Sequence, residues 1–192
     1  MRKSILLILI SLIVLASSCK KEDDPDVPEE SQGTMTVVMN GVTYEQTKFN
    51  NTLLSETQAG QKGKRLDLRT TLNGGTFVVT ISNWDWQNPP KAGVLSKTYD
   101  IETEGYYTQC KDIGDINFCD GALGSYILNV MKQYMTYDAP YDSATGFIRI
   151  DKCDAANKKV SGAFDFVAED LFEGDTIAFH GTFKDLVYRV IN

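Results

Sequence analysis

Histidine, cysteine, tryptophan and clustered acids are the residues of this chain whose types and spacing could do chemistry. Nucleophilic catalysis by a serine or cysteine needs a neighbouring base, most often histidine. The chain holds one histidine, His180, in the run Phe179–Phe183 and on the alternate face from those phenylalanines. A single histidine so placed reads as a surface or packing residue. No G-x-S-x-G, H-E-x-x-H, P-loop or dinucleotide fingerprint occurs. Paired-carboxylate hydrolysis stays open, because acids are plentiful and their separation is not written in the order of residues. It is the minor reading, centred on Asp85. Asp112, Asp115 and Asp120, and again Asp138 and Asp142, offer oxygens of the kind calcium takes, without the EF-hand spacing. They read as solvated loop acids. No metal and no cofactor is expected.

The sharper candidate is Asn83-Trp84-Asp85-Trp86-Gln87-Asn88-Pro89-Pro90. If the strand before it runs on, Trp84 and Trp86 share the face opposite Phe77, Val79 and Ile81. Tryptophans beside amides and Asp85 suit stacking on sugar rings or on a partner protein. The competing reading is that a bulge turns both indoles inward to cap the core.

The N-terminus supplies an address. Met1-Arg2-Lys3 is basic, Ile5 to Leu15 is apolar except for Ser11, Ala16-Ser17-Ser18 is small, and Cys19 follows. That is the order of a secretory signal, and the apolar run is shorter than the roughly 20 residues a bilayer span needs. The segment resembles the bacterial lipobox, with Ala16 where leucine is usual. The resemblance implies cleavage before Cys19, diacylglycerol on its thiol and an acyl chain such as palmitate on its new amine. Several acyl chains hold a protein firmly where one does so only marginally.

Lys20 to Gly33 carries six acids and two prolines and little that can be buried, so it reads as a disordered tether. Its opening Lys20-Lys21-Glu22-Asp23-Asp24 resembles the short acidic export tag of surface lipoproteins in Bacteroidota-type bacteria. The organisation expected is a signal over 1–18, a lipidated cysteine and tether over 19–33, and one domain over 34–192. The expected location is the outer membrane, cell-surface facing, with the periplasmic face as the alternative. The net charge of the whole chain is −7, and cleavage removes Arg2 and Lys3 but no acid. So acidic a body argues against nucleic acid and against charge-driven binding to an anionic membrane.

An exported chain sits where disulfides persist. Cys110 and Cys119 flank eight residues centred on Gly114-Asp115, a pair suited to a type II′ turn. Counting outward pairs Ile113 with Ile116 and sets the two cysteines opposite each other, at bridgeable spacing. A Cys110–Cys119 disulfide is expected, with Cys153 a free thiol at a strand end.

These residues must be carried by strands. Met35–Met39, Asn40-Gly41 and Val42–Tyr44 form a hairpin signal with a type I′ turn. Its register pairs Met39 with Val42 and Val37 with Tyr44, all on one face. Arg65–Arg69 alternates, Asn73-Gly74-Gly75 turns, and Thr76–Ile81 returns with Leu68 against Val79 and Leu66 against Ile81. Segments 146–150, 160–168 and 176–190 read as a closing meander. The apolar parity switches after Lys184, which predicts a bulge near Asp185. Tyr126 to Tyr137 fits helical spacing and strand composition alike, with the extended form slightly favoured. The fold expected is all-β, an antiparallel sandwich or barrel, with one short helix around 126–135 as the open point.

The closing segments Thr145–Ile150, Val160–Phe166 and His180–Tyr188, with the opening hairpin, are similar to those of uncharacterised Bacteroidota lipoproteins with an all-β domain. That resemblance implies fold and location alone. The function expected is a binding or accessory module for a glycan or a protein. A lipocalin-like carrier of an apolar ligand is the alternative, and a hydrolase the less favoured one.

Overall fold

A computed structural model describes residues 32–58, 61–85, 93–101, 107–113, 116–136 and 144–191, with the backbone alone for 56–58, 61, 84–85, 107–113 and 116–119. Among the described residues every regular element is a strand. The first half holds β1 (Thr34–Met39), β2 (Val42–Gln46), β3 (Thr52–Gln58), β4 (Gln61–Leu72), β5 (Gly75–Asp85) and β6 (Thr98–Ile101). The second holds β7 (Tyr107–Ile113), β8 (Ile116–Asn129), β9 (Lys132–Met135), β10 (Thr145–Asp154), β11 (Lys159–Asp170), β12 (Thr176–Val187) and β13 (Arg189–Ile191).

Turn chemistry fixes the hairpins. Asn40 and Gly41 have φ of 48° and 82°, and Asn73 and Gly74 have 45° and 81°. Positive φ at both central residues is what a type I′ turn requires. Val37 then pairs with Tyr44 and Met39 with Val42; Leu68 pairs with Val79 and Leu66 with Ile81. One burial expectation fails: Val42 is 54% exposed, on the strand that ends the sheet order.

The short helix around 126–135 is not formed. Val130 and Met131 are instead the turn of a hairpin, and Tyr126 pairs with Tyr134 across it. Cross-strand pairing lets the two rings approach to 6.4 Å, whereas a helix would set residues eight apart about 12 Å from each other along its axis.

The strands form one strongly curled sheet, a half-barrel, in the order β13-β3-β4-β5-β8-β9-β11-β12-β1-β2, with β10, β6 and β7 branching from it. The expectation of a purely antiparallel sheet is corrected at one seam: β13 runs parallel to β3, pairing Arg189 with Thr52 and Ile191 with Leu54. The cause lies in the long closing segment. β12 gives one edge to β11 and the other first to β1, then passes through Tyr188 into β13, which meets β3. The predicted bulge permits this. Val160 pairs with Leu186 but Gly162 with Phe183, so Ser161 alone faces Lys184 and Asp185. Asp185 takes φ of 51° and its N–H donates to Ser161 Oγ at 2.9 Å. Leu186 and Tyr188 are thereby turned inward and buried.

Phenyl rings fill the concave side. Phe77 lies 5.3 Å from both Phe164 and Phe179, and Phe166 lies 5.3 Å from Phe179. Gly124 makes room for Phe166, since a Cβ there would stand 2.3 Å from its ring. β5 is buried on both faces: Phe77, Val79 and Ile81 on one, Val78, Thr80 and Ser82 on the other. Thr80 suits that second face because its hydroxyl donates to Asp67 Oδ1 at 2.9 Å.

Candidate functional site

The end of β5 is where the chemistry-bearing residues gather. Pairing with β4 continues without a register shift to Trp84 opposite Gly63 and Asp85 opposite Lys62. The backbone register is thus unshifted as far as Asp85, while the side chains of Trp84 and Asp85 lie outside the described ones. Before it, both faces of β5 are buried, Val78, Thr80 and Ser82 included. Trp86 lies outside the described residues, as do Cys19, Asp115, Asp138 and Asp142.

Asn83, just before Trp84 in β5, is 7% exposed. β5 pairs with β8 as far as Ser82 opposite Gly121. One residue beyond that pair on each strand stand Asn83 and Asp120. β6 brings in the third partner through pairing of Tyr99 with Ile148 of β10. The Tyr99 hydroxyl, fully buried, donates to Asn83 Oδ1 at 2.7 Å. The Leu95 N–H donates to the same oxygen at 2.9 Å. Among the described residues the buried Asn83 Nδ2 has no acceptor. Lys97 Nζ pairs with Asp120 Oδ2 at 2.8 Å and lies 4.9 Å from the centre of the Tyr99 ring.

Electrostatics assign the roles. Burial pushes the Tyr99 phenol well above its ordinary range, the nearby Asp120 charge adds to this, and the bond to Asn83 offsets part of it. The hydroxyl is therefore a donor at any physiological pH and not a base. Asp120, expected as a solvated loop acid, lies on a strand and is 3% exposed. Lys97 supplies its counter-ion. The cluster is a polar brace where the β5–β8 pairing ends.

The cysteine hairpin adjoins this brace. Ile113 pairs with Ile116 and Cys110 with Cys119, as the turn count predicts, and Cys119 directly precedes Asp120. Cys153, next to last in β10, is half-buried and carries a free thiol. Its Sγ sits 3.8 Å from the Tyr188 hydroxyl. Gly93 lies against it, since a Cβ there would meet the sulfur at 2.5 Å. His180 is exposed, opposite Val38 and Asp165 and away from this end.

Two buried acids, Glu169 and Asp170, escaped the sequence reading. Asp170 Oδ1 accepts from the N–H groups of Phe172 and Glu173 at 2.9 and 2.8 Å, and Oδ2 accepts from Gln133 N–H at 3.2 Å. Burial alone would raise its pKa, but the Phe172 and Glu173 amides hold it below the usual carboxylate range. An aspartate just ahead of a turn is the signal that could have found it.

No protein-family model, no curated protein and no solved structure matches the chain.

Proposed function

We propose that this protein is a lipid-anchored lipoprotein of a bacterial cell envelope, held through Cys19, whose β domain binds a glycan or a protein at the Trp84-Asp85-Trp86 end of β5. The observation that carries the reading is the unbroken β4–β5 register up to Asp85, backed by the Asn83–Tyr99–Leu95 brace. A binding segment launched from a fixed strand end loses less freedom on capture than a free loop does. The rings packed on the concave side weigh against an apolar ligand carried within. The Cys110–Cys119 register supports a disulfide, whose ten-residue loop is worth about 2.7 kcal/mol; a non-reduced peptide map joining Cys153 to either partner would refute it.

The unit Ser31–Asn192 is compact and contains every described strand. Screened on a glycan array and against envelope proteins, it should capture a defined ligand that Trp84→Ala and Trp86→Ala lose together, with unchanged melting. Binding that survives both changes moves the site elsewhere. The anchor is tested separately: Cys19→Ser should release the protein from membranes, and protease treatment of intact cells should reach the domain.

A further inference from the structure

The polar brace continues into a row that crosses three strands. Ser55 of β3 stands directly opposite Lys64 of β4, and Lys64 directly opposite Asn83 of β5. Alternation sets all three on the face that carries Leu53, Leu66 and Ile81, a paired row two residues away that is buried throughout. The polar row is thus the margin of the apolar core. Exposure falls along it: Ser55 is exposed, Lys64 half-buried and Asn83 7% exposed. One end meets solvent and the other ends on the brace.

Two neighbours in this row keep donors in hand. Asn83 Oδ1 is held by the Tyr99 hydroxyl and the Leu95 N–H, so the amide cannot turn over without setting its NH2 group against the Leu95 N–H. Nδ2 is therefore fixed as a donor, buried and without an acceptor among the described residues, a state that folded proteins rarely keep without a reason. Lys64 Nζ donates to Ser55 Oγ and, among the described residues, to no carboxylate. An ammonium has three donors, so two are left. Lys97, the neighbouring cation, is already matched by Asp120. One positive charge and one amide donor thus remain on side chains whose Cβ atoms, directly opposite, are about 5 Å apart. A carboxylate satisfies both: one oxygen accepts from Asn83 Nδ2, the other from Lys64 Nζ, and the charges cancel. Such charge-assisted bonds are the strong ones, and beside an apolar row they are less screened than in water. A water or a neutral hydroxyl serves the amide and leaves the ammonium unmatched. A phosphate monoester brings close to two charges to a single ammonium.

We infer that Asn83 Nδ2 and Lys64 Nζ together form a receptor for a single carboxylate. Its source is a uronic acid where the ligand is a glycan, a step that alone rests on the binding reading above, or else a free organic acid. The probes are glucuronate, glucose and acetate, titrated into the isotope-labelled unit Ser31–Asn192 and followed by NMR at the Asn83 side-chain amide. Both acids should move that signal and glucose should not. Lys64→Met should weaken acid binding at least about tenfold with unchanged circular dichroism, and Lys64→Arg should restore part of it. Asn83→Asp keeps an acceptor for Tyr99 and Leu95 but replaces the donor by an oxygen; read at the Lys64 backbone amide, it should abolish binding. Should that change disturb folding, the two Lys64 variants carry the test. An advantage of glucuronate over acetate that Trp84→Ala with Trp86→Ala removes makes the source a sugar. Equal binding of the two acids, or an advantage that survives those changes, makes it a free acid: the glycan reading then falls and the carboxylate site stands. No movement with either acid, or movement that Lys64→Met leaves intact, overturns the inference. So does an Asn83 amide in contact with a long-lived water that neither acid displaces.

Discussion

Asn83 is the residue on which the polar brace turns, because its one oxygen receives two donors. The two partners differ in what they lose without it. Tyr99 can fall back on the Leu95 carbonyl, 3.0 Å from its hydroxyl, whereas the Leu95 N–H has no second acceptor in the brace. Tyr99→Phe should therefore cost about 1 kcal/mol and Asn83→Leu about 2–3 kcal/mol in urea unfolding. Equal costs would mean that Asn83 is not the shared acceptor in solution. Asp170 makes a prediction in pH. Its folded pKa lies below the unfolded one, so its contribution is present above the unfolded carboxylate pKa and is lost as pH falls through the folded value. Asp170→Asn should destabilise the protein at neutral pH, and the gap to the native chain should close in acid. A gap that stays constant with pH would show that the carboxylate charge is not what holds the turn.

Strand elements stand or fall on a few backbone positions. Gly146, second in β10, has φ of 132°, and a Cβ there would lie 2.1 Å from the Asp165 carbonyl oxygen. Gly41 also has positive φ, 82°, but a Cβ there would meet nothing within 4 Å. Gly146→Ala should cost at least about 3 kcal/mol, and Gly41→Ala only about 1–2 kcal/mol for the turn conformation. Thermal melts of both variants would reverse this order only if β10 were free to move away from β11. The contrast also explains what could be read from the order of residues. Asn40-Gly41, Asn73-Gly74 and the parity switch at Asp185 carry their instruction within a few neighbours, so hairpins, register and bulge were all legible. The Cys110–Cys119 register was legible for the same reason. Tyr99 was not, because four-residue β6 has no periodicity to show, and its partner Asn83 is 16 positions away. Asp120 was misread because its counter-ion, Lys97, is supplied by a segment 23 residues earlier.

The fold as a whole depends on a seam that no local pattern announces. β13 joins β3 through three parallel pairs between residues far apart in the chain. Arg189 reinforces it, its N–H donating to the Asn51 carbonyl at 3.0 Å and its Nη2 to Asn50 Oδ1 at 2.9 Å. Asn51 works from the other side, with Nδ2 donating to the Val187 carbonyl and Oδ1 accepting from Arg69 N–H, both at 3.0 Å. Val190 and Ile191 are 40% and 46% exposed, so deleting 189–192 removes little of the core and mainly removes pairing. β3 would then present an unpaired edge, which invites strand addition from another molecule. Hydrogen exchange should show the β3 amides losing protection first, while β11 and β12, joined along most of their length, keep theirs. The deleted form should also aggregate sooner on warming, and Asn51→Ala should do the same to a smaller degree. If all strands lose protection together, the seam is part of one cooperative unit with the aromatic core; if none does, the β13–β3 pairing does not stabilise that edge of the sheet.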